Sequence, residues 1–355
     1  MAGDCYGIGV AKGVIVGDWK VMMNKKTKIL IGYDGSDCAD AALDDLQRAG
    51  LPRVAEAVVI SVTETWLPPP PPSAFQILEL AHAIYVPSDM TRVYAQGSLA
   101  LEEAQSLADQ AATRLRTNFP DWEITVNAAI GSPRRELIRR ADVWKPDLIL
   151  VGSHGRSLVG RLMLGSVSQG VLTDARCSVR VARGRVDEPD TPVRILIGVD
   201  GSLASAAAVS EVASRNWPLL SEVRTIAVNE PLTPAFVGRF IPPVGKIIRE
   251  TSQADRQWLT KVLEYAGERL LQSRLKVTSG ICEGDPKRAL VEAAEAWGAD
   301  CIFVGSIGFT SSLERFLLGS VSAAVAARAH CSVEVVRSPK SIGGNDERQF
   351  EYSRN

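Results

Sequence analysis

Two stretches of the chain set glycines between an apolar run and a helical pattern, where a phosphate could approach the backbone. The first reads Gly152-x2-Gly155-x9-Gly165-Ser166, and the second reads Gly305-x2-Gly308-x10-Gly319-Ser320, one residue longer. A phosphate needs close backbone approach and several N–H groups with no other acceptor, which glycines and a helix N-terminus supply. Gly152 and Gly155 let the chain turn tightly after an apolar run. Gly165 then opens a helical pattern whose first turn, Ser166-Val167-Ser168, offers N–H donors and two hydroxyls. Ser320-Val321-Ser322 repeats that turn after Gly319.

Far upstream of each loop lies an Asp-Gly-Ser turn, with Asp34 in ILIGYDGS and Asp200 in ILIGVDGS. An aspartate in such a turn can also serve only itself, by hydrogen bonding its own backbone. The paired motifs define two repeats, about 28–183 and 193–338. Between them, 184–192 is a polar linker containing a proline; 1–27 is a glycine-rich leader expected to lack order, and 339–355 is a charged tail expected to be flexible. A chain of 355 residues is long enough to give each repeat its own core.

The elements that position these motifs alternate strictly. In the first repeat, strands are expected near Lys28–Tyr33, Ala57–Val62, Glu123–Ala129, Asp147–Gly152 and Ser178–Ala182. Helical spacing lies between them at Ala39–Ala49, Leu99–Phe119, Pro133–Trp144 and Ser166–Ala175. The second repeat copies this order, with strands near Arg194–Val199, Val223–Val228, Lys276–Cys282, Cys301–Gly305 and Ser332–Val336. Such alternation predicts an α/β chain of two tandem doubly wound domains, with ligands beyond the carboxyl ends of the strands. Both glycine loops and both Asp-Gly-Ser turns lie at those ends.

Composition narrows the function classes. The first repeat carries 16 basic and 18 acidic residues and the second 16 and 15, so neither has the charge of a nucleic-acid binder. No window is apolar enough to span a membrane. The six cysteines form no C-x-x-C pair and no metal-ligand spacing, and read as reduced thiols of a cytoplasmic protein. Cys177 and Cys331, each entering the last strand of its repeat, read as buried small apolar residues. Arg134, Arg135, Arg139 and Arg140 on one short helix read as a solvated face, diluted by Glu136 and Asp142. The five-proline run Pro68–Pro72 reads as a stiff surface connection or a docking motif.

The pairs ILIGYDGS with VGSHGRSLVGRLMLGSVS, and ILIGVDGS with VGSIGFTSSLERFLLGSVS, resemble the tandem universal stress proteins. The resemblance covers nearly all of Lys28 to Ser338. It implies a Rossmann-like fold of five parallel strands per domain, pairing of the domains through their last strands, and adenine nucleotide binding. By position, Asp34 and Asp200 would contact ribose or adenine, and Val62 and Val228 would border the base. Gly152, Gly155, Gly165 and Ser166, with Gly305, Gly308, Gly319 and Ser320, would hold the phosphates of ATP, with or without Mg. His154, Arg156 and Arg161 stand near that place in the first repeat, against Ile307, Phe309 and Arg315 in the second. A triphosphate is therefore expected to prefer the first repeat.

The phosphate-loop pattern G-x-x-x-x-G-K-[ST] is absent and no general base is recognisable, so hydrolysis is expected to be slow if it occurs. Three functions are carried forward. One is a nucleotide-dependent regulatory module in the stress response. The second is a slow ATPase or self-phosphorylating enzyme with Ser166 or another motif serine as acceptor. The third is a nucleotide-free interaction scaffold. A four-domain homodimer is left open.

Overall fold

The chain forms one continuous ten-stranded sheet in a computed structural model that describes residues 26–65, 88–155, 164–183, 191–230, 242–271, 273–307 and 318–337. The leader, the proline run and the tail lie outside the described residues.

Repeat one builds β1 (Thr27–Gly32), α1 (Asp37–Asp45), β2 (Ala55–Thr63), α2 (Ser88–Asn118), β3 (Glu123–Ile130), α3 (Pro133–Trp144), β4 (Leu148–Gly152), α4 (Ser166–Asp174) and β5 (Ser178–Ala182). Repeat two copies it with β6 (Arg194–Gly198), α5 (Leu203–Ser214), β7 (Glu222–Asn229), α6 (Pro242–Leu270), β8 (Lys276–Glu283), α7 (Pro286–Trp297), β9 (Cys301–Gly305), α8 (Ser320–Arg328) and β10 (Ser332–Val336). Strand order across the sheet is β3-β2-β1-β4-β5-β10-β9-β6-β7-β8. All pairings within a repeat are parallel, and β5 meets β10 antiparallel. The order therefore reads the same from both edges, and the last strands join the two expected five-stranded sheets into one.

Local sequence explains the elements. Ser36 and Ser202 cap α1 and α5, each accepting a backbone N–H three residues on. Asp285 caps α7, Pro286 opens it, and Gly298 closes it with a left-handed φ of 68°. Strands β4 and β9 are continuous apolar runs, as sheets covered on both faces require.

The core is divided unequally. On one face, Leu137 of α3, Leu172 of α4, Leu290 of α7 and Val325 of α8 join Val179, Val181, Val333 and Val335 in a single cluster that runs through both repeats. On the other face, α1 and α2 cover one cluster while α5 and α6 cover another. Between those two clusters, at the β5–β10 seam, the strand alternation turns Arg180 and Glu334 toward α1 and α5, and both are fully buried. Two arginines cross the seam as counterparts. Arg183 Nη2 donates to Ala326 O at 2.6 Å near the end of α8, and Arg337 Nη2 donates to Leu172 O at 2.5 Å near the end of α4. Each repeat thus holds the C-terminus of the helix that follows the other's glycine loop, where a cation meets the negative end of the helix dipole.

Candidate functional site

Strand ends and helix starts bring the sequence motifs together at one edge of each repeat. Asp34 follows β1, and its Oδ1 accepts from Ser36 N at 3.0 Å and Ser36 Oγ at 2.7 Å. Ser36 Oγ in turn accepts from Ala39 N at 3.2 Å. One carboxylate oxygen is thus committed to the turn and cap of α1. The other faces the glycine loop: a Cβ on Gly155 would lie 2.9 Å from Asp34 Oδ2. Asp200 Oδ1 holds Ser202 N at 3.0 Å and Ser202 Oγ at 2.6 Å in the same manner.

The glycine loops close identically at their described ends. Gly165 N donates to Ser153 O at 2.8 Å and Ser168 Oγ to Gly152 O at 2.6 Å. In repeat two, Gly319 N donates to Ser306 O at 2.6 Å and Ser322 Oγ to Gly305 O at 2.6 Å. The extra residue of the second loop falls between Ile307 and Leu318 and leaves this closure unchanged. The hydroxyl protons of Ser168 and Ser322 are spent on the loop itself, so those side chains could only accept from a ligand. Arg156, Arg161, Gly308, Phe309 and Arg315 lie outside the described residues.

The helix starts differ in a telling way. α1, α5 and α7 begin on a side-chain cap, whereas α3, α4 and α8 do not; α4 and α8 begin on Gly165 and Gly319, and among the described residues no side chain accepts from their first turn. The N–H groups of Ser166, Val167 and Ser168 in α4, and of Ser320, Val321 and Ser322 in α8, therefore stand at an end suited to an anion. Val62 and Val228 lie half-buried at the ends of β2 and β7, each beside the core that also receives Val167 and Val321.

Glycine has packing reasons here as well. A Cβ on Gly152 would come within 3.1 Å of Cys38 O, and one on Gly305 within 2.6 Å of Ala204 C. These glycines let the ends of β4 and β9 press against the starts of α1 and α5.

His154 and Ile307 mark the contrast between the repeats. His154 is 8% exposed, its Nδ1 lies 2.9 Å from Ser153 Oγ, and its Nε2 has no hydrogen-bond partner among the described residues. Burial, with a smaller contribution from Arg183, lowers its pKa below the ordinary histidine value. The imidazole is therefore neutral at pH 7 and offers a polar nitrogen rather than a full positive charge. In repeat two an indole packs on the Asp-Gly-Ser turn: a Cβ on Gly201 would lie 2.5 Å from Trp258 Cη2.

Sequence reasoning missed Ser153 and Ser306, whose carbonyls close the loops, and Arg183 and Arg337. All four stand at matching places in the two repeats, and that match was the available signal. Among the described residues no three His, Cys, Asp or Glu side chains gather as a metal site, and no helix is long and apolar enough to cross a membrane.

The model of the universal stress protein family matches residues 26–183 and 193–337. The chain belongs to this family. A universal stress protein of Mycolicibacterium smegmatis is 33% identical over 195 residues, which are 54% of this chain and 61% of that protein's length. Universal stress protein Rv2623 of Mycobacterium tuberculosis is 26% identical over 324 residues, 88% of this chain and 97% of that one. A crystal structure of a universal stress protein from Archaeoglobus fulgidus aligns with a TM-score of 0.54 at 19% identity, covering 88% of this chain and 97% of that one. The last likeness bears on fold alone. Tandem universal stress protein domains thus account for nearly all of the described chain.

Proposed function

We propose that this universal stress protein is a nucleotide-dependent regulatory module of the cytoplasm that holds ATP in repeat one and hydrolyses it slowly or not at all. The observation that carries the reading is the convergence at Gly155. Asp34 Oδ2 approaches from β1, the preceding residue His154 brings a buried Nε2 with no hydrogen-bond partner among the described residues, and the loop leads to the start of α4, which no described side chain caps.

Those residues fit an adenine nucleotide. Asp34 accepts from hydroxyls, as a ribose requires, and Val62 offers an apolar edge for a base. Gly152, His154, Gly155, Arg156 and Gly165 with the N–H groups of Ser166, Val167 and Ser168 would surround the phosphates. In repeat two, Asp200, Val228, Gly305, Gly308, Gly319, Ser320, Val321 and Ser322 would do the same for a less charged ligand, because Phe309 stands where repeat one has Arg156 and Ile307 where it has His154. Bound ATP supplies a transferable phosphoryl group and brings Mg with its phosphates. What this chain does is bind and orient it.

A second reading, the nucleotide-free scaffold, is favoured by the packing of Gly152 and Gly305 against α1 and α5. One experiment separates the two. Freshly purified protein is denatured, released nucleotide is identified by chromatography, and emptied protein is titrated with Mg-ATP. About one ATP per chain is the expected result. No nucleotide and no binding would favour the scaffold, and phosphate release well above that of a glycine-loop variant would favour the slow enzyme.

A further inference from the structure

The seam between β5 and β10 joins two equivalent strands, yet the residues at its centre are not equivalent in kind. The strands read SVRVAR (178–183) and SVEVVR (332–337), with Arg180 in one where Glu334 stands in the other. The antiparallel register sets these two opposite each other. Arg180 Nη1 donates to Glu334 Oε2 at 3.3 Å, with the residues 1% and 0% exposed. Around them the charges alternate through Asp45, Arg180, Glu334, Arg215 and Glu211. Burial opposes the charge on Arg180, and Asp45 and Glu334 more than offset it.

Shape follows the same asymmetry. Ala49 and Gly50 of repeat one stand at the positions of Arg215 and Asn216 in repeat two. Arg215 Nη1 donates to Ala49 O at 2.9 Å, and Asn216 N to Gly50 O at 2.8 Å. A Cβ on Gly50 would lie 2.9 Å from Trp217 Cδ2 and 3.1 Å from Arg215 Cβ. Repeat two supplies bulk here and repeat one supplies the space.

We propose that this seam is a recognition code by which a first repeat accepts only a second repeat and rejects its own kind. Two copies of β5 would set Arg180 against Arg180, with nothing to fill the room over Gly50. Two copies of β10 would set Glu334 against Glu334 and crowd Arg215 and Trp217 against their doubles. Each repeat brings a partner for its own central charge, Asp45 for Arg180 and Arg215 for Glu334. What changes at a like-with-like seam is the sign of the contact across it, between side chains buried from bulk solvent. Any assembly of two chains therefore uses another surface, or exchanges unlike repeats.

The like-with-like contact can be built inside the full chain and read by amide hydrogen exchange. Arg180→Glu and Glu334→Arg each create it, and each is expected to speed exchange in β5 and β10 at least tenfold while β1 and β6 stay protected. The neutral pair Arg180→Gln with Glu334→Gln removes the sign and is expected to open the seam less than either. Should neither like-charge variant fold, Ala49→Arg, which sets a second guanidinium against Arg215, carries the same tenfold expectation. Native-like exchange in the variants that fold would overturn the proposal. So would a neutral pair that opens the seam as far as like charges do.

Discussion

Asp34 Oδ2 lies 2.9 Å from where a Cβ on Gly155 would stand, although the two residues are far apart in the chain. Any side chain at 155 must therefore displace the carboxylate or the loop. Gly155→Val is expected to raise the dissociation constant for Mg-ATP at repeat one at least tenfold, which is about 1.4 kcal/mol. The melting temperature should move little, because β4 and α4 do not depend on that contact. Titration calorimetry beside a thermal melt checks both halves of the expectation.

The two oxygens of Asp34 separate two roles. Oδ1 holds Ser36 N and Ser36 Oγ, so Asp34→Ala removes an acceptor and is expected to cost about 1 kcal/mol of stability. Asp34→Asn keeps an oxygen for that turn and should stay within about 0.5 kcal/mol of the native protein. Both variants should bind nucleotide several-fold more weakly, since both lose the carboxylate facing Gly155. Urea denaturation and calorimetry on the pair decide whether the aspartate serves only its own turn.

Arg337 donates to Leu172 O at 2.5 Å and to Cys177 O at 3.2 Å, from repeat two into repeat one. Arg337→Ala would strip two carbonyls of a charged donor and is expected to cost about 1–3 kcal/mol. Arg183→Ala, its counterpart against Ala326 O and Cys331 O, should cost a similar amount. Arg337→Lys cannot fork to both carbonyls and should recover only part. Denaturant midpoints of the three variants test the crossed arrangement.

Much of the fold was legible because its cause is local. The inner strands β1, β4, β6 and β9 carry short apolar runs, and each expected helix carries apolar spacing. The differences have equally local reasons. The expected helix Ala39–Ala49 ends at Asp45 because the backbone tightens into a 3-10 turn at Leu46–Arg48. The expected helix Leu99–Phe119 runs instead from Ser88 to Asn118 and passes through Gly97, a residue that disfavours helix interiors and so hides the continuity from a reading of the sequence. The loop glycines and Asp-Gly-Ser turns were visible as repeated motifs. The charged seam was not, since nothing local in SVRVAR or SVEVVR says that Arg180 and Glu334, 154 positions apart, stand opposite each other.

Burial makes a chemical expectation for the cysteines. It pushes the thiols of Cys177 and Cys331 up to about 12, against a smaller lowering by Arg337 and Arg183 respectively. At pH 8 both should be almost wholly protonated and slow to alkylate. Iodoacetamide labelling read by peptide mass spectrometry should be more than tenfold slower at these two positions in native protein than in urea. Fast native labelling at either would contradict their reading as inert packing residues.

His154 gives the protein a pH dependence whose sign is fixed. Burial, aided by Arg183, lowers its pKa in the folded state below 6.5, while the unfolded chain keeps the ordinary value. As pH falls through 6.5 the unfolded state takes up a proton first, so folded stability declines from there down to the folded pKa and then levels. The slope in that window is at most about 1.4 kcal/mol per pH unit for one proton. His154→Ile, which installs the residue that repeat two has at this point, should flatten that stretch of the stability profile and leave values above pH 7 nearly unchanged. Urea unfolding from pH 5 to 8 measures it. A His154→Ile profile as steep as the native one would assign the acid dependence to other groups, and a native profile flat below 6.5 would mean the imidazole is not held neutral.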